Sequence, residues 1–476
     1  MRRSVAAVLM VAGFGQVAVA ADMPAKAPVL KAPVATTNWT GFYLTGGAGY
    51  GLWAADTTTT TPAGAPALFV PQTQGGKGFL GRIGGGYDYQ LTSKIVVGVF
   101  GDYDFSNLKG TLQDQGPFLV GDIKQTSAWA FGARVGWLTT PRLLSFTSAG
   151  YTGARFSGAT LTPQVAGFAT GVTPGFTRNG WFLGGGMEVA VTSGWFWRNE
   201  YRYAYYGTQT INDTNIATGA ALSNITFKPT VQTVTTQVVY KFNPPGAPTP
   251  VHQAVPEIAA NWTGFYVNAG GGYGMWAADT TTVSPVTGAC VLCATQTQGG
   301  KGWLGTVGGG YDYRFTPNIV GGVFADFNYS NLKGTIQDQG PFFAGEIKQT
   351  SAWAVGARAG WLVTPSALTY VNGGYTNARF SGATMLGTGT GAVSGSTTQP
   401  FTRGGWFLGG GMEAPVFMTG FFWRNEYRYA SYSRATTTDC PAAGVCLNNN
   451  ITFKPAVQTV TTQLIYKFGG GPVFKN

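Results

Sequence analysis

The stretch WRNEYRYA, residues 197–204, alternates aromatic with charged side chains, and the same eight letters recur at residues 423–430. In a β-strand, Trp197, Tyr201 and Tyr203 share one face, and the charged residues between them share the other. The opposite orientation would place three charges in hydrocarbon, at about 2–4 kcal/mol for each Arg at the midplane. The segment therefore predicts a membrane-spanning strand whose charged face lines a lumen, with a single Asn misplaced toward lipid.

This recurrence is part of a duplication of most of the chain. The motif NWTGFY starts at Asn38 and again at Asn261, and GGKG, SNLKGT, QDQGPF, IKQTSAWA, RFSGAT and NITFKP each occur once per copy in the same order. The spacing between equivalent positions is 224 residues at Trp129 and 226 residues at Trp197. A repeat of this length is a duplicated domain rather than a solenoid unit.

The N-terminus has the pattern of a secretory signal. Arg2 and Arg3 precede a short apolar run, and Ala18-Val19-Ala20 forms a small-x-small cleavage site, so residues 1–20 are predicted to be removed. The formal net charge is +11, of which those two arginines contribute +2, leaving +9. No other stretch approaches the roughly 20 consecutive apolar residues of a membrane helix, which excludes an α-helical membrane protein.

The composition favours an exported β-protein in a membrane. Charged residues make up only 10% of the chain and aromatic residues 14%, and there are 73 glycines. Soluble domains carry about 25% charged residues, and this amount of glycine opposes helices. These features predict an outer-membrane β-barrel. A soluble β-sandwich is the alternative, but it would need a cover for both faces of its sheets.

Eight strand-like runs are visible in copy 1. They are predicted at 39–52, 77–90, 94–107, 123–138, 143–157, 178–192, 195–207 and 228–242. Short turns alternate with long polar loops at 54–74, 109–122, 159–177 and 208–226, which is the periplasmic and extracellular pattern of a barrel. Aromatic residues near strand ends are predicted to form the interfacial girdles: Trp39, Phe42, Tyr43, Tyr87, Tyr89, Trp195, Trp197, Tyr240 and Phe242.

The order of these features resembles a known family. A signal, the Pro/Lys-rich segment ADMPAKAPVLKAP, the motif NWTGFYLTGGAGYG and a last strand ending in YKF resemble the porin-family outer-membrane β-barrel proteins of alphaproteobacteria. That family, which includes opacity-type and hemin-binding surface proteins, has a single eight-stranded barrel. The resemblance covers most of each copy and implies outer-membrane lipids, lipopolysaccharide and the barrel-assembly machinery as partners, with no nucleic acid.

We expect two tandem eight-stranded antiparallel barrels, with one 16-stranded barrel as the alternative. Each copy ends in its own closing strand, and a Pro-rich stretch predicted to be periplasmic separates the copies. The predicted organisation is a signal peptide at 1–20, a Pro/Lys-rich segment at 21–37, barrel copies at 38–242 and 261–468, a linker at 243–260 and a tail at 469–476.

Mixed charges on the inward faces suggest paired ions in narrow lumens, because an eight-stranded barrel is only wide enough for side chains to fill it. The predicted lumen network of copy 1 is Asp88, Asp102, Glu188, Glu200, Arg134, Arg155, Arg198 and Arg202. The predicted network of copy 2 is Asp312, Asp326, Glu413, Glu426, Arg358, Arg379, Arg424 and Arg428. Copy 2 also replaces Arg82 by Thr306 and Asp104 by Asn328, so one cation and one anion disappear together.

Few residues offer chemistry. The one histidine, His252, lies in the linker, so we predict no His-based catalysis, no metal site and no cofactor in either barrel. The GGGYG and GGGYD runs lack the strand–helix context of a nucleotide loop. We therefore predict that the protein is not an enzyme.

Four cysteines occur, all in long loops of copy 2: Cys290, Cys293, Cys440 and Cys446. An oxidising compartment favours disulfides over zinc, and three connectivities remain open.

A set of lysines marks the predicted extracellular strand ends of both copies. The set is Lys77, Lys109, Lys124, Lys228, Lys301, Lys333, Lys348 and Lys454. Lysine is a good point-charge partner for phosphate, so one hypothesis is a collar that contacts lipopolysaccharide. The alternative is a solvated rim of charges that snorkel out of lipid.

Three functions compete at this point. The first is a structural surface protein of the cell envelope, and the second is a 16-stranded porin for passive diffusion. The third is capture of haem or a host surface by the loops, for which Tyr206 or Tyr432 would have to replace a histidine as the axial ligand. The oligomeric state is left open.

Overall fold

A computed structural model describes residues 37–67, 70–116, 118–164, 170–242, 260–340, 342–388, 390–416, 420–441 and 449–468. Every regular element in these residues is a β-strand, which confirms the all-β prediction. No helix within the described ranges is long and apolar enough to cross a membrane. The predicted signal peptide, nearly all of the Pro/Lys-rich segment and linker, and the tail lie outside these residues, so the domain boundaries stay predictions.

The described residues of copy 1 form eleven strands. They are β1 (Gly41–Thr60), β2 (Gln72–Gln90), β3 (Ile95–Asp114), β4 (Leu119–Thr140), β5 (Leu143–Phe156), β6 (Ala159–Pro163), β7 (Gly171–Thr173), β8 (Phe176–Thr192), β9 (Trp195–Tyr205), β10 (Gln209–Asn215) and β11 (Ala221–Phe242).

Copy 2 contains the corresponding strands. They are β12 (Gly264–Val283), β13 (Cys290–Arg314), β14 (Ile319–Asp338), β15 (Phe343–Thr364), β16 (Ala367–Phe380), β17 (Ala383–Gly387), β18 (Val393–Thr398), β19 (Phe401–Pro415), β20 (Phe421–Tyr432), β21 (Ala435–Pro441) and β22 (Asn450–Lys467).

Strand pairing closes each copy into its own eight-stranded ring. In copy 1 the antiparallel order is β1–β2–β3–β4–β5–β8–β9–β11, and β11 pairs again with β1 from Phe42↔Phe242 to Thr60↔Asn224. Copy 2 closes in the same way between β12 and β22. The pairing is therefore that of two rings rather than one 16-stranded ring. Within each ring, the pairing of the first strand with the last leaves no unpaired edge.

The strands are longer than predicted at one end of each ring. Strands β1, β3 and β11 continue into residues predicted to be polar loop, and the short strands β6, β7 and β10 extend the wall by pairing β4–β6–β7–β10–β11. We call this extension the cap and the opposite end the short-turn end. The predicted long loops of copy 1 are thus largely β-structure.

The outward face of the ring is apolar over a broad belt. Its exposed side chains in copy 1 include Phe42, Leu44, Phe79, Ile83, Val99, Phe105, Phe131, Val135, Tyr151, Trp181, Leu183, Trp197, Val238 and Tyr240. Such a continuous apolar wall is unsuited to water and suited to hydrocarbon. Two aromatic residues predicted for the girdle are placed elsewhere, because Trp39 and Tyr43 are fully buried inside the ring.

The two rings pack side by side along a seam with approximate two-fold symmetry. Halfway up the wall, the Tyr50 ring contacts Tyr429 and the Tyr203 ring contacts Tyr273, each pair with centroids 5.5 Å apart. Tyr273 is the copy 2 equivalent of Tyr50, and Tyr429 is the equivalent of Tyr203. The two contacts are therefore the same contact with the copies interchanged, as a two-fold axis requires. Near the short-turn end, apolar residues of both copies share one cluster: Leu143, Met187, Val189, Ala367 and Met412.

The seam is polar at the cap. Lys77 pairs with Asp279, and Lys301 pairs with Asp56, each at 2.9 Å. One β-bridge joins the sheets directly at Gln298↔Gln74.

Buried amides and a pair of rings complete the polar part of the seam. The Gln113 side chain donates to Gln337 at 3.0 Å. Phe118 and Phe342 stack with centroids 3.7 Å apart, and both residues have positive φ (56° and 58°). A bulky residue rarely adopts that backbone conformation, so the same strain is accepted in both hairpins that make this contact.

The seam predicts a specific cross-link. Directly paired residues of antiparallel strands have Cα atoms at disulfide distance, so we expect Gln74→Cys with Gln298→Cys to form a disulfide between the rings. A protease site inserted into the linker would make the result visible, because the cleaved halves would co-migrate under non-reducing denaturing conditions.

The matched control is Phe131→Cys with Val355→Cys, at equivalent positions on the exposed outer walls. This pair should separate into two bands after cleavage. Equal behaviour of both pairs, or no cross-link at the seam, would contradict the side-by-side packing.

Candidate functional site

Each lumen is closed at the short-turn end by a tryptophan. Trp39 lies just before β1, is fully buried and donates its indole N–H to the Pro141 carbonyl at 3.1 Å. In copy 2, Trp262 donates in the same way to Pro365 at 2.9 Å. The NWTGFY motif therefore supplies the floor of each lumen.

The first layer of ions lies above this floor. In copy 1, Arg134 binds Asp88 with two N–H donors and reaches Glu188 at 2.9 Å. Lys241 contacts the same two carboxylates at 2.5 and 3.0 Å, and Arg198 donates to Glu188 at 2.8 Å. All five groups are buried, so each carboxylate compensates cations that have left water.

A second layer follows toward the cap. The Arg202 guanidinium binds Asp102 through two donors, each at 2.7 Å, and also donates to Glu200 at 2.9 Å. Arg82 binds Asp104 in the same bidentate manner, at 2.6 and 2.8 Å. Bidentate Arg–carboxylate pairs combine charge with fixed geometry, which makes this layer rigid.

Copy 2 repeats both layers except where Arg82 and Asp104 have become Thr306 and Asn328. The carboxylate of Glu426, at the position of Glu200, instead accepts from the Tyr370 hydroxyl at 2.7 Å and from Asn372 at 2.9 Å. Copy 1 has Phe146 and Ser148 at the positions of Tyr370 and Asn372. Two neutral donors have thus replaced a lost arginine, and this compensation was not evident from the charge pattern.

Fourteen of the sixteen predicted lumen residues lie inside the rings. Arg155 and Arg379 do not, because their side chains are exposed outward near the cap. The predicted network also omitted Lys241 and Lys467, although alternation along the closing strand places both on its inward face. Lys467 contacts Asp312 at 2.8 Å and Glu413 at 2.9 Å.

Each lumen is electrically balanced. Copy 1 sets five cations against five anions: Arg82, Arg134, Arg198, Arg202 and Lys241 against Asp88, Asp102, Asp104, Glu188 and Glu200. Copy 2 sets four against four: Arg358, Arg424, Arg428 and Lys467 against Asp312, Asp326, Glu413 and Glu426.

Apolar side chains fill the lumen above the ions. Trp53, Phe156 and Phe227 are fully buried there, and the rings of Phe156 and Phe227 lie 5.5 Å apart. A cavity beside Arg202 and Tyr206 has a volume of about 10 Å³, which is barely the room that one water needs. The aromatic floor, the two ion layers and the apolar core are stacked along the barrel axis. They leave this part of the lumen without space for a solute.

The predicted lysine collar is divided among different contacts. Lys77 and Lys301 join the two rings, so they do not form part of a free rim. Lys109 pairs with Asp122 at 2.6 Å, and Lys333 and Lys348 both approach Glu346, at 3.7 and 3.0 Å. For all eight lysines, contact with lipopolysaccharide remains a prediction.

The cysteine and tyrosine predictions have separate outcomes. Cys290 and Cys440 each take part in a disulfide, whereas the side chains of Cys293 and Cys446 lie outside the described residues, so the connectivity stays open. Tyr206 and Tyr432 are buried in the lumens, 3.4 and 3.3 Å from the hydroxyls of Thr152 and Thr376. This burial removes them as ligands for a haem held by the outer loops. Among the described residues, no group of three or more His, Cys, Asp and Glu is placed to hold a metal ion.

Each cap contains a pair of buried aspartates, which lie far beyond the aromatic belt. Burial and the neighbouring Asp114 raise the pKa of Asp213 to about 8. In copy 2, burial and the charge of Asp338 raise the pKa of Asp439 to about 7. Burial also raises the pKa of Asp114 and Asp338. The sequence between Tyr206 and NITF differs strongly between the copies, yet the Asp is present in both, so it is a shared element of the cap.

These pairs predict a pH-dependent cap. An unfolded Asp titrates near pH 4, so between about pH 4 and pH 8 the folded cap keeps a proton that the unfolded chain has lost. Cap stability should therefore fall as pH rises through that window and level off above it. Protection factors of β10 and β21, obtained from hydrogen exchange at pH 5 and pH 9 after correction for the intrinsic rate at each pH, would measure the effect.

The variant Asp213→Asn with Asp439→Asn should flatten the pH response. Asp122→Asn, which alters an exposed carboxylate of the same cap, should leave it intact. Equal protection factors at both pH values in the unmodified protein would refute the idea that the folded cap retains this proton.

The ion layers predict a large and equal loss of stability in the two copies. Glu188→Gln and Glu413→Gln each leave three buried cations short of an anion, so each should cost about 3–5 kcal/mol. Urea unfolding in lipid vesicles would measure this loss, with the heat-dependent shift in gel mobility as the readout of the folded fraction. Glu346→Gln, at an exposed site, should cost less than about 1 kcal/mol. A similar small loss at all three sites would contradict the network.

Comparison with known proteins gives a consistent result. Residues 7–242 match the model of the outer membrane protein beta-barrel domain. The 31 kDa outer-membrane immunogenic protein of Brucella melitensis biotype 1 is 28% identical over 219 residues, which cover 44% of this chain and 90% of that protein.

Two further similarities are weaker. The 25 kDa outer-membrane immunogenic protein of Brucella abortus is 28% identical over 199 residues, covering 41% of this chain and 80% of that protein. The crystal structure of Neisserial surface protein A aligns at 20% identity and a TM-score of 0.23, over 43% of this chain and 98% of that one.

Proposed function

Because the chain belongs to the outer-membrane β-barrel proteins of the alphaproteobacterial type, we propose that it is a non-catalytic, non-conducting surface protein of the cell envelope. In this role two filled barrels anchor two joined caps outside the membrane. The short-turn end faces the periplasm and the cap faces outward, as is general for these barrels.

The filled lumen is the observation that carries this proposal. A diffusion pore needs a water-filled path. Here the Trp39 floor, the paired ions and the apolar core fill the lumen in turn, so no such path is left. Moving these groups would strip buried charges of their partners, which costs several kcal/mol for each broken pair. The same argument weighs against the 16-stranded porin, whose interior charges would form a solvated wall.

The joined caps support a display role. The cross-seam ion pairs, the Gln74–Gln298 bridge and the Phe118–Phe342 stack fix the outer surfaces of the two barrels against each other. A surface built in this way presents a fixed shape to lipopolysaccharide and to external partners. Catalysis is not part of the proposal, because no histidine that could act as a general base occurs in the described part of the chain.

Conductance in a planar bilayer tests this function. We expect the mature protein to be silent or to give only rare, small openings, because the lumen ions are locked in pairs. A 16-stranded porin measured under the same conditions serves as the positive control. Large, stable steps from the mature protein would overturn the proposal.

A further inference from the structure

A groove of about 530 Å³ crosses the outward wall of copy 1 near the short-turn end. Small side chains, including Ala133 and Ala149, form its floor, while Tyr89, Val97 and Val135 form a row across β2, β3 and β4 on its short-turn side. The groove exists because alanines on neighbouring strands β4 and β5 align between taller residues. Its lining is almost wholly apolar, which suits a hydrocarbon chain.

The groove is open to the membrane and is not covered by the other barrel. Tyr89, Val99 and Val135 are each about half exposed, whereas the seam residues Leu143 and Met187 are buried. The groove lies just inside the aromatic girdle of the short-turn end, where Trp137 pairs with Ile95. In an outer-membrane barrel this end faces the periplasm, so the groove meets the inner leaflet.

A cation lies beside the mouth of the groove. Lys94 ends the turn between β2 and β3, and its Nζ is 5.5 Å from the centroid of the Trp137 ring. Trp137 is two residues along β4 from Val135, on the same outward face, so the amine lies about one pair of residues beyond the groove. An ammonium at the girdle is placed at the depth of lipid phosphates, for which lysine is a good point-charge partner.

The duplicated copy provides an internal comparison. At the positions of Lys94, Val97 and Val135, copy 2 has Asn318, Gly321 and Ala359. The Phe315 ring lies over Gly321, since a Cβ there would be 2.7 Å from a ring carbon. The cation and both valines of the row are thus absent together from copy 2, whereas Tyr313, at the position of Tyr89, is retained. The Arg314 at its turn donates to the carbonyls of Thr316 and Pro317 instead.

We propose that copy 1 binds one phospholipid of the inner leaflet, with an acyl chain in the groove and its phosphate on Lys94. Copy 2 lacks this site, so the two barrels differ in the lipid that they hold. The occupant is a phospholipid rather than lipopolysaccharide because the groove and Lys94 are at the periplasmic end of the wall.

Native mass spectrometry of the full-length mature protein, titrated in detergent with dioleoyl-phosphatidylglycerol, tests the site. We expect one retained lipid per chain. Ala133→Leu fills the floor of the groove and should weaken retention at least tenfold. The matched change in copy 2, Ala357→Leu, should have no effect. Lys94→Gln should weaken retention by roughly three- to fivefold, as for a partly exposed ion pair.

Two outcomes would overturn the proposal. One is the absence of retained lipid from the unmodified protein, and the other is an equal effect of Ala133→Leu and Ala357→Leu. Glycerol 3-phosphate at the same concentration should not compete, and full competition by it would mean that the groove contributes nothing. Heat-dependent gel mobility would show that each variant is folded before it is titrated.

Discussion

A charge inside a narrow barrel has no bulk water to stabilise it, so it needs a fixed partner of opposite sign. Both lumens satisfy this constraint by equal numbers of cations and anions, linked so that most carboxylates serve more than one cation. The difference between the copies follows from the same rule. When Arg82 is absent its partner Asp104 is absent too, and Glu426 then accepts from Tyr370 and Asn372. Interior substitutions therefore occur in compensated sets.

The filled interior also fixes the width of the wall. The interior of an eight-stranded ring has about the volume that side chains can fill. A ring whose interior is filled by paired ions and a Trp floor is therefore complete without merging with its neighbour into a wider barrel. The two rings meet instead through their outer surfaces. There, tyrosines and methionines replace lipid in the belt, and amides and ion pairs replace water in the cap. The seam thus follows the polarity of its surroundings at each height.

Alternation in the sequence was sufficient to predict the eight strands of each copy and the inward charges of segments such as WRNEYRYA. It failed where the surroundings change. Above the membrane the outside of the wall is water and the inside is an apolar core, so the rule of charges inward is reversed. Arg155 faces out there while Phe156 faces in, and the polar cap residues form strands rather than loops. Alternation also could not tell a girdle aromatic from a buried one, which is why Trp39 was misplaced. The contacts across the seam and the Asp114–Asp213 pair depend on tertiary proximity that spacing along the chain does not encode.

The covalent link between the two copies has a consequence beyond packing. A homodimer of identical barrels must be symmetric, and its population depends on concentration in the membrane. Two linked copies meet at an effective concentration set by the tether, so they are always paired one to one. They are also free to diverge, as the cysteines of one copy and the Lys94 of the other illustrate. The molecule thereby acquires a direction within the plane of the membrane, with two distinguishable flanks.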